Sequence, residues 1–204
     1  SAASDVYKRQ GVQSRGVSEA GLGYALGFFN GNGLKIVNDN NDVMTVARLF
    51  FERQTQDANK SLQVGVHAYH SVDENAPIGV PITGSFLAEG YTGERVAGGA
   101  DLRVTLGEWF TSAEFIASRF DPRGGTRAEP YGYQVSAGWF ATESTQLLAR
   151  WDSLRLDGVA ADSDLLLFGM NHWPSSPTEV QLNVGFPTAN ATNVEVLVNV
   201  QVAF

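Results

Sequence analysis

Six charged residues sit where chemistry is available: Arg48, Asp101, Arg103, Glu114, Arg150 and Asp152. They fall within segments of two-residue alternation, "VMTVARLFFE", "VAGGADLRVTL", "EWFTSAEFIAS" and "TQLLARWDS". Residues i and i+2 of a strand share a face, so Asp101 goes with Arg103, and Arg150 with Asp152. Rings of such charges set the selectivity of a water-filled pore. A guanidinium matches phosphate or carboxylate oxygens with a two-pronged donor set, which makes Arg103 and Arg150 the best anion contacts. Asp101, Glu114 and Asp152 offset them. The plainer reading has equal standing: ordinary solvated wall residues that cross-link neighbouring strands.

Covalent chemistry finds less support. His67 shares a face with Tyr69, but no partnered serine and carboxylate accompany it, and a triad needs mutual geometry. His70 and His172 are in the same position. "NDNND", residues 38–42, lacks the spaced ligands and closing Glu of a calcium loop and reads as a polar turn. Asn190-Ala191-Thr192 is a glycosylation sequon by pattern only. Gly27 and Gly65 fall on inward phases, where glycine relieves crowding or permits a bend. No catalytic residue, cofactor or metal ligand is expected.

The elements that must position the charges are strands. The chain ends "VEVLVNVQVAF": Val194, Val196, Val198, Val200, Val202 and Phe204 take one face, while Glu195, Leu197, Asn199, Gln201 and Ala203 take the other. Strict alternation over such a length marks a strand with one oily and one wetter face. The same grammar recurs in "EVQLNVGF", "DLLLFGMNH", "YGYQVSAGWF", "SLQVGVHAYH" and "GLGYALGFFN". It predicts about ten strands, each near the length that crosses a bilayer when tilted. No segment has a helical period, and no composition break divides the chain. The fold class is all-β, with sequential neighbours paired antiparallel.

Connections alternate long and short. "NGNGLKIVNDNND" and the stretch from Ser71 to Glu94 are long, whereas Gly107-Glu108 and Ala141-Thr142-Glu143 are tight. Short turns at one end and longer loops at the other are the habit of a transmembrane β-barrel. Trp109, Trp139, Trp173 and Phe204 fall near the tight-turn ends, and Tyr131 and Trp151 toward the loop ends, as aromatic belts require. The long stretch contains "APIGVPITGSFLAEGY", whose Val80, Ile82, Phe86 and Leu87 are expected to fold inward and narrow a lumen, or else to pack on a neighbouring subunit.

The net charge of -8 argues against a nucleic-acid partner. The chain has no Cys, hence no disulfide and no thiolate metal site. No apolar run is long enough for a transmembrane helix. Residues 1–10, "SAASDVYKRQ", resemble a translated sequencing adapter: Asp5 to Gln10 can be written GATGTGTATAAGAGACAG, close to a transposase mosaic end. They are set aside from the fold, which leaves 11–204 as a partial barrel domain.

Three phrases carry a family likeness. In "GYALGFFNGNG" a strand closes on Asn30-Gly31. In "LLARWDSLRLDG" a strand carries Arg150 and Asp152. In "LLFGMNHWPSSPTEVQLNV", Gly169-Met170-Asn171 precedes Trp173-Pro174. Together they resemble the phosphate-selective porin O and P family of bacterial outer membranes. Val200, Val202 and Phe204 look like the C-terminal assembly signal read by the barrel-assembly machinery. The resemblance implies a homotrimer of barrels of about sixteen strands, within the even-numbered range of bacterial barrels. This chain would supply the last ten or so.

The expected function is therefore an outer-membrane porin: passive diffusion of small hydrophilic solutes, with an anion or phosphate preference implied by the resemblance. The sequence has no dense Lys/Arg ladder to support that preference. The alternatives are a barrel enzyme, lipase or protease, and a soluble β-sandwich.

Overall fold

A computed structural model describes residues 11–30, 42–54, 60–76, 91–156, 162–175, 177–188 and 194–202. Eleven strands form one antiparallel sheet in strict sequential order. They are β1 (Gly11–Val17), β2 (Leu22–Asn30), β3 (Val43–Gln54), β4 (Lys60–Ala76), β5 (Tyr91–Leu106) and β6 (Trp109–Pro122), followed by β7 (Tyr131–Thr142), β8 (Thr145–Arg155), β9 (Ser163–Ser175), β10 (Thr178–Pro187) and β11 (Glu195–Val202). The sheet is open, with β1 and β11 at its two edges.

Register keeps the two phases of the sequence on two faces throughout. One row runs Val64, Leu102, Ala113, Val135, Trp151, Leu166 and Phe186. Leu147, Met170, Leu182 and Val198 make another row of the same face. The row Gly65, Asp101, Glu114, Gln134 and Asp152 belongs to the opposite face. A slip of one residue within these rows would exchange the faces; the register shifts, at Asp73/Ala76, Phe140/Thr142 and Thr178/Val180, fall near strand ends, outside the rows.

No second layer packs on the oily face among the described residues. Leu102, Phe115, Leu147, Phe168 and Val198 are all exposed there, Val198 at 61%. A soluble sandwich would bury such a face against a second sheet, and an uncovered apolar surface of this extent marks contact with lipid or protein. The single sheet removes the sandwich alternative.

Connections sort by end. The joins from Val17 to Leu22, Gln54 to Lys60, Leu106 to Trp109, Thr142 to Thr145 and Ser175 to Thr178 start and finish at one end of the sheet, and those from Asn30 to Val43, Ala76 to Tyr91, Pro122 to Tyr131, Arg155 to Ser163 and Pro187 to Glu195 at the other. The tightest work because Gly107 takes the left-handed backbone, φ 63°, which suits a two-residue hairpin to the sheet twist. On the oily face beside that turn, Trp109 and Trp139 are register partners whose rings stack at 5.8 Å.

Three expectations need correction. There are eleven strands rather than ten: β1, "GVQSRGV", puts Ser14 and Gly16 on the oily face beside Val12, so its alternation is faint. The β4–β5 loop is shorter than Ser71–Glu94, because β4 runs to Ala76 and β5 starts at Tyr91. Those added residues carry Asp73 and Glu94, which suit a strand standing beyond the lipid. Trp173 faces inward, stacked on Phe140 at 6.3 Å, since His172 pairs with outward Val180. Val80, Ile82, Phe86, Leu87 and Phe204 lie outside the described residues.

Candidate pore lining

All six charged candidates lie on the polar face. Asp101, Glu114 and Asp152 share one register row with Gln134 between the last two. Arg103, Ser112, Ser136 and Arg150 form the next row toward the tight turns. Arginines and carboxylates are thus layered along the strand direction, about 7 Å apart from the rise of two residues.

Most of these charges are compensated at close range. Arg48 donates from Nη2 to Asp101 Oδ1 at 2.7 Å. The pair passes over Gly65: a Cβ there would lie 2.7 Å from Asp101 Oδ2 and 2.8 Å from Arg48 Nη2. Glycine at this inward position makes room for the ion pair. His67 Nδ1 stands 3.9 Å from Asp101 Oδ2, too far for a hydrogen bond. Arg150 donates from Nε to Asp152 Oδ1 at 2.6 Å. Glu114 accepts from Gln134 Nε2 at 3.0 Å and has no cation partner among the described residues. Arg103 is exposed and, among the described residues, makes no ion pair.

The same face carries further charges: Arg15, Glu52, Asp73, Arg95, Glu179 and Glu195. With the six candidates this sets five guanidiniums against seven carboxylates among the described residues. Toward β11 side-chain amides join the wall, with Glu179 and Glu195 its charges on β10 and β11. Asn171 donates to Gln146 at 2.8 Å, and Asn199 to Gln181 at 3.4 Å. At the tight-turn end Phe110, Phe140 and Trp173 form an inward aromatic layer, with the Phe110 ring lying over Gly138.

A buried polar knot at the loop end escapes sequence reasoning. Asp73 is 1% exposed and holds Arg95 Nη2 at 3.0 Å. Ser71 donates to Asp73 at 3.0 Å, and the Arg95 guanidinium lies over the Tyr69 ring. Tyr91 and Phe120 close the cluster edge to face. The only signal was shared phase: Tyr69, Ser71 and Asp73 follow His67 at steps of two. Beyond the strands, Arg127 donates to Asp121 at 2.6 Å. That hydrogen bond, with the charge of Asp121, lifts its guanidinium above the ordinary arginine range.

No protein-family model matches the chain, nor does any curated protein sequence. Solved structures do. One is a porin, with a TM-score of 0.66 at 10% identity over 96% of this chain. The chain has a porin-type barrel fold. A second similar structure is OmpT of Vibrio cholerae, an outer membrane protein in its trimer form, with a TM-score of 0.60 at 14% identity over 87% of this chain. The chain spans 62% of the first structure's length and 54% of the second's. At these identities the likeness is one of fold.

Proposed function

We propose that the protein is a passive-diffusion porin of the bacterial outer membrane. The observation that carries this reading is the unbroken separation of faces across eleven strands. One face is apolar and exposed, and suits lipid. The other is lined with charges and amides, and suits water. Completed into a closed barrel, such a wall would leave no unpaired strand edge in hydrocarbon. Passage involves no covalent step: a hydrated solute moves through while wall charges bias which ions enter. In this reading Arg48, Asp101, Arg103, Glu114, Arg150 and Asp152 line the channel, and the tight turns face the periplasm.

Selectivity is expected to be weak. Arg48 and Arg150 are held by Asp101 and Asp152, which leaves Arg103 as the best candidate for an anion preference. The phosphate selectivity implied by the family resemblance would rest on that residue and on the terminal nitrogens of Arg150. Homotrimer assembly is supported by the trimer form named for the Vibrio cholerae protein. The oily face then divides between lipid and neighbouring subunits. Val200 and Val202, in register with Val180 and Thr178, would be presented with Phe204 to the barrel-assembly machinery.

The test is reconstitution of the intact protein into planar bilayers. Stepwise conductance that scales with bulk electrolyte is expected. A correctly inserted barrel without conductance would overturn the channel reading.

A further inference from the structure

The polar face has a concavity of about 540 Å³ between β6, β7 and β8. Its lining is ordered along the strand direction. Arg150 lies nearest the tight turns. Next comes the row of Glu114, Gln134 and Asp152, then Ile116 and Leu154 in register with Gly132. Phe120 closes the loop end. A charged floor thus meets an apolar wall in one cleft, with glycine leaving room between Ile116 and Leu154.

The charges there are only half used. Asp152 occupies Nε of Arg150, and the two terminal nitrogens have no partner among the described residues. The Gln134 amide holds one Glu114 oxygen, and among the described residues no cation pairs with that carboxylate. Asp101, its register neighbour, is already neutralised by Arg48. Glu114 and Arg150 stand two strands and one row apart, roughly 10 Å by 7 Å at the backbone, and both side chains are long enough to converge on one small molecule. A phosphate would meet the repulsion of Glu114 and Asp152. A simple cation would meet Arg150. A molecule bearing both charges close together satisfies both walls.

We infer that this cleft is a binding subsite for zwitterionic solutes with an apolar body, amino acids or short peptides with aromatic or branched side chains. The ammonium goes to Glu114, the carboxylate to the terminal nitrogens of Arg150, and the side chain to Ile116 and Leu154. A few convergent polar groups beside an apolar wall are the usual make-up of a small-molecule site. Binding on the order of 1 mM suits a wall that must also release its solute. The inference rests on the porin reading only in taking this face as the water-filled one.

The test uses the intact protein in lipid nanodiscs, with saturation-transfer NMR corrected against empty discs. The probes are L-phenylalanine, 2-phenylethylamine and 3-phenylpropionate, with glycine as the probe lacking an apolar body. L-Phenylalanine is expected to bind about tenfold more tightly than each of the others, since each lacks one charged or apolar contact. Glu114→Gln should weaken L-phenylalanine by about tenfold and strengthen 3-phenylpropionate, by removing the repelling carboxylate. Arg150→Gln should weaken L-phenylalanine and strengthen 2-phenylethylamine. That crossover cannot come from a damaged fold, which would weaken every probe. Equal affinity for L-phenylalanine and its singly charged analogues, or equal losses for all probes in both variants, would overturn the subsite. Binding needs no conductance, so a protein that binds but does not conduct contradicts the channel alone. A protein that conducts without this discrimination contradicts the subsite alone.

Discussion

Arg48 on β3 reaches across β4 to Asp101 on β5, with Nη2 2.7 Å from Oδ1, directly over Gly65. A side chain at that point would displace one member of the pair. Gly65→Val is expected to separate the pair. A double-mutant cycle with Arg48→Ala and Asp101→Ala should give a coupling of about 0.5–1 kcal/mol, typical of a partly exposed pair, and the coupling should vanish in the Gly65→Val background. Undiminished coupling there would show that the bridge does not depend on the glycine.

Charge compensation is expected to separate the arginines in their effect on ion flow. Arg103 has no carboxylate partner among the described residues, whereas Arg48 is neutralised by Asp101. Arg103→Ala should shift the zero-current potential in a salt gradient toward cation preference. The double substitution Arg48→Ala with Asp101→Ala, which removes one charge of each sign, should shift it far less. Equal shifts would mean that the ion-pair geometry does not govern ion flow. Glu114→Gln should move the potential the opposite way to Arg103→Ala.

The loop-end knot is a stability element. Asp73→Asn leaves the Arg95 guanidinium, itself 18% exposed, without its anion. Stranding one member of a buried pair costs about 3–5 kcal/mol. Urea unfolding in detergent or lipid should show that loss, and the double variant Asp73→Asn with Arg95→Met should recover part of it. A loss below about 1 kcal/mol, the range of surface pairs, would mean that water reaches the pair.

The oily face should reject charge by depth. Arg placed at Leu102 or Phe168 should destabilise the barrel by about 2–4 kcal/mol near the bilayer midplane. Arg placed at Ser112 or Ser136 of the polar face should cost little. Similar penalties at all four positions would not fit a membrane-spanning wall.

Much of this architecture was legible because alternation is a local property. Val194 to Val202 declare their face without reference to any partner strand, and so do Leu147, Ala149 and Trp151. The six charged candidates share the polar face for the same reason. Two features depend on partners distant in sequence. The Arg48–Asp101 pair joins residues on β3 and β5, and the clearance at Gly65 exists only once those strands flank β4. β1 was missed because its oily face bears Ser14 and Gly16, whose place is set by pairing with Leu26 and Tyr24. Trp173 was placed at the correct end but on the wrong face. Its inward face follows from alternation with Gly169 and Asn171, which closeness to a tight turn does not reveal.

The central claim is that alternate residues of one strand meet lipid and water, and cysteine accessibility tests it most directly. The chain has no Cys of its own, so single cysteines at Gln181, Leu182, Val198 and Asn199 report without background. Leu182 pairs with Val198 and Gln181 with Asn199 on adjacent strands. In the intact protein in liposomes, a bilayer-restricted reagent should label positions 182 and 198, and a small water-soluble thiol reagent should label 181 and 199. Bilayer-restricted labelling at 181 and 199, with 182 and 198 reached from water, would contradict the assignment of the two faces.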